Sequence, residues 1–514
     1  MNRLTQLAVI CGVCSVLMQA QADWPAAHGP RGNYTPSESK VPLLDDAANA
    51  KLLWQSEDDD LGYGKGSVSG YLQNLARWPG HPGSSSGPIL ADGKLFVTTF
   101  RPMGDAWAEN LPQYQNYLKQ TPKKPLTEEE LARMRDNLRI LADDLTVAMD
   151  AKTGQTLWKA VEPGGLNRYM GKRQGFCVSP VWHDGTVFSM GTTGRLYAYD
   201  ADDGAKLWET NIGEAHEKAL EHKEEVLERK TLPGGMGWDV SLAVAGGVLV
   251  VPLFDGTDVS LRGVDVKDGK TLWNVEHACS RHATPAVWTH DDKQYVVTAT
   301  VSGKMMLIDP TKGDVLWTVE DLGPNHFSLT PTDKHVFVNG GSQTPRKEGD
   351  DNKYGLLAAY ELSPTGAKLA WKHPEKPELF FPTWMDSCAR RFLAVRDGRV
   401  YYRAHGKDKS EKQLLMLDET NGEELASMTI QSPALQYYPA QDRLLVVRDA
   451  SHSDTHLAFI KTDPNDFRQL ADFWDPPHLQ TGAYEVYMEH PFVDGRLYIR
   501  TKDGRIACYD MTKR

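Results

Sequence analysis

Long hydrophobic runs, clustered basic charge and paired cysteines are all scarce in this 514-residue chain. Beyond the first 22 residues no stretch approaches the roughly 20 consecutive apolar residues needed to cross a bilayer, so the remainder is not expected to span a membrane. The net charge of −12 is spread along the chain without a basic stripe, which excludes the electrostatic footprint of a nucleic-acid-binding protein. Two of the six cysteines, Cys11 and Cys14, fall within the first 22 residues. The other four, Cys177, Cys279, Cys388 and Cys508, are far apart and contain no Cys-x-x-Cys, which argues against a zinc site. They allow three complete disulfide pairings in an oxidising compartment, or stand as isolated buried thiols. No Walker loop, dinucleotide fingerprint or His-Glu-x-x-His is present.

The first 22 residues have the order of a secretory leader: Arg3, an apolar run from Leu7 to Met18, then Ala20-Gln21-Ala22 before Asp23. Cleavage is expected after Ala22. Ile10 and Val13 precede the two leader cysteines where a lipoprotein would carry a small residue, so no lipid anchor is expected. Residues 23–514 are therefore read as one exported domain, periplasmic or secreted, with a monomer as the expected state.

Internal similarity organises that domain. Four segments repeat Asp, then Gly, then Leu-Trp: Asp150, Gly154 and Trp158; Asp200, Gly204 and Trp208; Asp265, Gly269 and Trp273; Asp309, Gly313 and Trp317. Weaker copies follow at Glu361 with Gly366 and Trp371, at Asp418 with Gly422, at His456–Ile460 and at Ile506–Asp510. Upstream of most copies stand a Pro or small residue, an apolar run, a tight turn such as Asp92-Gly93, Asp184-Gly185 or Asp494-Gly495, and a second apolar run. Each run is short, alternating or β-branched, and bounded by Gly or Asp, which reads as a strand.

A four-stranded antiparallel unit that must cover both its faces is a propeller blade, because a ring of such units lets each cover its neighbour. The expected fold class is all-β, an eight-bladed β-propeller, with seven blades as the alternative. Closure is legible at the termini. The chain ends just after Asp510, where a third strand stops, while Ala50–Trp54 is an orphan fourth strand, and together they complete one blade. The Trp of each repeat is expected to pack between neighbouring blades, its indole N–H on a carbonyl.

Within a blade the first-to-second and third-to-fourth turns are tight, whereas the second-to-third and blade-to-blade connections are long. These long connections share one end of the ring, so one face should be bare and the other decorated, with any site on the decorated face around the channel. The largest decoration, residues 101–144, opens with Thr127-Glu-Glu-Glu130, a capping-box start for a helix through Leu131, Met134, Leu138 and Leu141. A charged stretch at 214–230 is read as a second short helix. Ahead of the innermost strands stand side chains capable of holding a small anion, a sugar or a metal, or of anchoring loops: Trp238, Asp239, Arg281, His282, His326, Asp386, Arg390, Tyr484, Glu485 and His490. His277 with His282 lacks a third ligand nearby in sequence, so no metal is assigned.

The phrase Ala-x-Asp-x-x-Thr-Gly-x-x-x-Trp at Ala148–Trp158, with its variant at Ala198–Trp208, resembles the repeat of pyrroloquinoline quinone (PQQ) propellers. That superfamily includes PQQ-dependent alcohol dehydrogenases and BamB-like assembly proteins. The start, Asp23-Trp24-Pro25 with His28-Gly29-Pro30, also looks like that of exported members. For an enzymatic member the resemblance implies PQQ on a Trp platform beneath a disulfide between adjacent cysteines, with Ca²⁺ on carboxylate and amide side chains. No Cys-Cys pair is present and no calcium ligands match residue by residue. The expectation is a non-catalytic exported scaffold binding a protein or glycan on the loop-rich face. A PQQ- or metal-dependent oxidoreductase at the channel mouth is the alternative.

Overall fold

In the computed structural model, described residues are 24–30, 32, 35, 41–62, 81, 83–84, 86–107, 119, 125–167, 178–212, 240–253, 258–280, 283–320, 322, 328–339, 357–373, 379–380, 393–406, 412–430, 434–449, 455–476, 490–501 and 503–513. Their strands form eight antiparallel sheets, and these are the blades of a propeller. The first blade is Ile89–Ala91, Lys94–Trp107, Arg139–Asp150 and Thr156–Leu166. Six more follow over residues 181–211, 243–280, 286–319, 330–372, 379–429 and 434–469, the sixth carrying an extra two-residue strand, Leu379–Phe380. The eighth is composite: Phe492–Val493, Arg496–Arg500 and Ile506–Asp510 are completed by Lys51–Gln55 from the other end of the chain.

Each repeat residue acts at a joint between blades. Asp150 Oδ1 accepts hydrogen bonds from the Lys152 amide (2.9 Å), the Thr153 amide (2.8 Å) and Thr153 Oγ1 (2.9 Å), fixing its own turn. Gly204, at φ +75°, presents a bare backbone to the Trp158 ring of the preceding blade. The Trp158 indole then donates to the Ala201 carbonyl (3.2 Å), just after Asp200. The same bond recurs from Trp208 to Val266 (2.8 Å), Trp273 to Pro310 (2.6 Å), Trp317 to Ser363 (2.9 Å) and Trp371 to Glu419 (2.9 Å). Neighbouring residues of a strand face opposite ways, so the Leu before the Trp stays outside: Leu157, Leu207 and Leu272 are about half exposed.

Closure follows the same rule. Trp54 packs on Gly154 of the first blade and lies opposite Cys508, while Lys51 lies opposite Asp510. Leu43 pairs with Thr512, and Arg443 Nη1 holds the Leu43 (3.0 Å) and Leu44 (2.6 Å) carbonyls and Asp45 Oδ1 (2.9 Å). Just beyond the closing strand, Asp60 meets Arg101 Nη1 (2.7 Å), His81 Nε2 (2.8 Å) and Lys159 Nζ (3.4 Å). Burial opposes ionisation of Asp60, but the His81 hydrogen bond and the Arg101 and Lys159 charges outweigh it and hold the carboxyl below the usual aspartate range. A carboxyl depressed by folding stabilises above its unfolded value of about 3.9, and this stabilisation is lost as pH falls through the folded value. Asp60→Asn should therefore melt lower than the native protein at pH 7 and show a shallower fall in Tm below about pH 4. Equal acid limbs in a thermal-melt series would exclude this role.

Structure and sequence reading part in the first blade. The helix α1, Glu128–Asn137, has the expected capping box: Thr127 Oγ1 accepts from the Glu130 amide (3.2 Å) and Glu130 Oε2 from the Thr127 amide (2.8 Å). It stops at Asn137, however, and Leu141 lies in a strand. Residues 139–144 alternate in burial and pair with Lys94–Trp107, whose backbone a continued helix would leave unpaired. Asn167 Nδ2 secures the crossover by donating to the Asn137 (2.9 Å) and Arg139 (2.7 Å) carbonyls. Within 101–144, the described residues 101–107 and 139–144 are thus an extension of the blade rather than a loop. Cys279 and Cys508 are buried, and burial pushes the Cys508 thiol up to about 12; Cys177, Cys388 and the 214–230 stretch lie outside the described residues.

Candidate functional site

Two residues ahead of several innermost strands a hydroxyl or small residue joins consecutive blades. The Gly87 amide donates to Ser179 Oγ (3.1 Å), the Ser179 amide to Ser241 Oγ (3.2 Å), the Ser241 amide to Thr284 Oγ1 (2.9 Å) and the Thr284 amide to Ser328 Oγ (2.9 Å). All four hydroxyl residues are buried, forming a collar around the loop-side end of the channel over the first five blades. His490 stands at the same register ahead of Phe492. It is 4% exposed, and its amide donates to the Tyr438 hydroxyl (2.8 Å), so its backbone serves as an anchor.

The other nine sequence candidates, Trp238, Asp239, Arg281, His282, His326, Asp386, Arg390, Tyr484 and Glu485, lie outside the described residues. Three of them share a sequence offset. Asp239, His282 and His326 each stand two residues ahead of a collar residue, Ser241, Thr284 and Ser328, in three consecutive blades. The collar itself was missed in the sequence, because a lone Ser or Thr ahead of a strand has no signature until its partner in the next blade is known. Gly83-Ser84-Ser85-Ser86-Gly87 has the spacing of a nucleophile elbow, but it is followed by the strand Ile89–Ala91 where an elbow is followed by a helix; Ser85, its central residue, lies outside the described residues, and the Ser84 and Ser86 hydroxyls (2.5 Å each) donate to the Thr98 carbonyl.

The axial channel is partly filled by the N-terminal segment. Trp24, fully buried, exchanges two backbone hydrogen bonds with Leu90 (2.7 and 2.9 Å), and its ring lies 6.0 Å from that of Tyr438. The Trp182 amide donates to the Pro25 carbonyl (2.8 Å), and Thr35 Oγ1 donates to the Val395 carbonyl (2.5 Å). Between this segment and the innermost strands of the second to sixth blades remains a cavity of about 760 Å³. Buried Leu242, Thr284 and Pro285 form its inner end, and exposed Thr289, Asp333, Lys334 and Asp397 its rim. The cavity therefore opens on the tight-turn face, which the sequence reading expected to be bare.

Among the described residues no three His, Cys, Asp or Glu side chains stand together as metal ligands. Cys279 and Cys508 belong to different blades, and the collar hydroxyls are engaged with backbone. The described donor set does not match a PQQ and calcium site.

Eight four-stranded blades, closed by an N-terminal strand and joined at five of the described joints by Trp on the next blade's Gly turn, define a propeller of the PQQ-repeat class. The chain belongs to the family described as outer membrane protein assembly factor BamB, whose profile matches residues 142–326 and 257–435, more than half of the chain. It is 25% identical over 267 residues to a polyvinylalcohol dehydrogenase of Pseudomonas sp, covering 41% of this chain and 40% of that protein. To a quinone-type 1-butanol dehydrogenase of Thauera butanivorans it is 23% identical over 210 residues, 39% of this chain and 30% of the other. The chain thus matches less than half the length of these relatives. The crystal structure of quinohemoprotein alcohol dehydrogenase from Comamonas testosteroni superposes with a TM-score of 0.52 at 12% identity, covering 96% of this chain and 81% of that one, a likeness of fold.

Proposed function

We propose that this protein is an exported, non-catalytic binding propeller that holds a protein or glycan partner on its loop-rich face. The observation that carries this reading is the tall first blade. Its second and third strands have 14 and 12 residues, against 5 and 6 in the second blade. At about 3.3 Å per residue the surplus raises a spur roughly 20 Å beyond the disc. Met134 and Leu138 are fully buried and the Arg135 guanidinium lies 4.6 Å from the Trp107 ring, so the spur is a packed structure suited to presenting a surface.

Met103 and Leu141 are paired, so replacing residues 104–140 with Asn-Gly should restore a short hairpin. The shortened protein should keep its Tm within a few degrees while losing cross-links to its partner in the exported compartment. Unchanged cross-linking would reject the spur as the docking element.

The oxidoreductase reading is favoured by the dehydrogenase relatives and by the common offset of Asp239, His282 and His326, residue types that can form a two-histidine, one-carboxylate metal set. Adding PQQ and Ca²⁺, and in a parallel series Fe²⁺, and following quinone absorbance, dye reduction with alcohols or sugars, and Tm tests it; no change in any of the three in either series rejects it. A partner-independent turnover abolished by Asp239→Ala and His282→Ala would instead reject the scaffold.

A further inference from the structure

One register position of the innermost strands faces the channel in every blade: the residue two ahead of the tight turn. It is Leu90, Trp182, Val244, Thr289, Pro331, Val395, Pro439 and Phe492 in the first to eighth blades. Antiparallel strands point alternate residues' N–H and C=O away from their neighbour, and at Leu90 both groups go to Trp24. The chain's own segment uses the same position in the second and sixth blades, through the Trp182 amide and the Val395 carbonyl. In the third and fourth blades the matching amides, of Val244 and Thr289, have no partner among the described residues, and both residues line the 760 Å³ cavity.

We infer that the inward edges of the third and fourth blades, at Val244 and Thr289, dock an extended, uncharged peptide segment of a partner protein, entering from the tight-turn face beside residues 24–35. The occupant's chemistry follows from the wall. This wall already exchanges backbone hydrogen bonds with the chain's own segment, at Trp24 in the first blade and Pro25 in the second, and strand addition supplies affinity through just such edge groups. The cavity beside it is lined by Leu242, Val287, Pro285 and Pro331, which favour small or apolar side chains. Its rim sets Lys334 against Asp333 and Asp397, which gives no strong pull on a charged ligand. The inference rests on the reading of a binding propeller but uses the face opposite the spur.

The probe is a fluorescein-labelled, end-capped synthetic peptide with the sequence of residues 24–30, the uncharged part of the segment that meets this register at the first and second blades. Saturable anisotropy, with slowed hydrogen exchange at the Val244 and Thr289 amides, is expected. Val244→Pro with Thr289→Pro removes both donors, and the fold accepts proline at this register, as Pro331 and Pro439 show. The double variant should bind roughly ten-fold more weakly with Tm nearly unchanged. Should it fail to fold, the same peptide N-methylated at alternate residues should fail to bind the native protein. Absence of saturation up to roughly 1 mM, binding indifferent to both changes, or protection at Leu90 and Trp182 in place of Val244 and Thr289 would overturn the inference. The spur-shortened protein should bind the peptide unchanged, so failure of the loop-face reading and failure of this one are separable.

Discussion

A protein lacking residues 23–57 is expected to lose its cooperative thermal transition and the near-UV dichroism of a packed interior. The deletion takes away the whole closing strand, Lys51–Gln55, and leaves Ile506–Asp510 with an unpaired edge. It also removes Trp54 from Gly154, Leu43 from Thr512, the carbonyls that Arg443 holds and, in the channel, Trp24 from its pairing with Leu90. Loss of a buried Trp costs about 3–5 kcal/mol on its own. Buried Trp24 and half-buried Trp54 together with a strand are comparable to the whole stability of a domain, roughly 5–15 kcal/mol. Trp54→Ala alone should therefore lower the midpoint but keep the transition, by about 3–5 kcal/mol at most. Native-like melting of the deleted protein would show that the ring does not depend on its N-terminal strand.

The blades were legible because the repeat residues act locally and again at the neighbouring joint. Asp150 fixes its own turn, Gly154 leaves room at that turn, and Trp54 from the preceding blade fills it. Such a joint forces the same residue types to the same spacing, and spacing is what a sequence displays. The collar escaped notice because Ser179, Ser241 and Thr284 each contribute one hydroxyl whose partner lies 43 to 92 residues away. Trp24, Pro25 and Thr35 escaped because each meets a different blade through its own isolated contact, backbone at the first and second blades and the Thr35 hydroxyl at the sixth. At Leu141 the apolar spacing suits a helix and the pairing with Lys94–Trp107 suits a strand, and tertiary pairing decides. Among the proposed site residues, His490 was chosen for its imidazole, yet what the structure describes at that position is an amide on Tyr438.

Gly313→Ala and Gly185→Ala form a controlled pair for the claim that the Trp joints hold the ring. Both glycines have left-handed backbones, at φ +74° and +76°, so an alanine is strained at either position by about 1–2 kcal/mol. They differ in surroundings. A methyl at Gly185 meets nothing within 4 Å, whereas at Gly313 it would lie 2.6 Å from Trp273 Cγ and 2.8 Å from Cδ2. Trp273 is 8% exposed and its indole is held on the Pro310 carbonyl, so it cannot yield without losing that bond or the packing on either side. Overpacking of this kind costs about 1–3 kcal/mol beyond the backbone strain. Denaturant midpoints at matched slope should place Gly313→Ala below Gly185→Ala by that margin. Trp273→Ala, harmful alone, should cost less in the Gly313→Ala background, because removing Cγ and Cδ2 takes away two of the three atoms nearest the methyl. Equal losses at the two glycines, or strict additivity of the pair at the joint, would mean that the blades are held together by something other than the Trp on the next blade's turn.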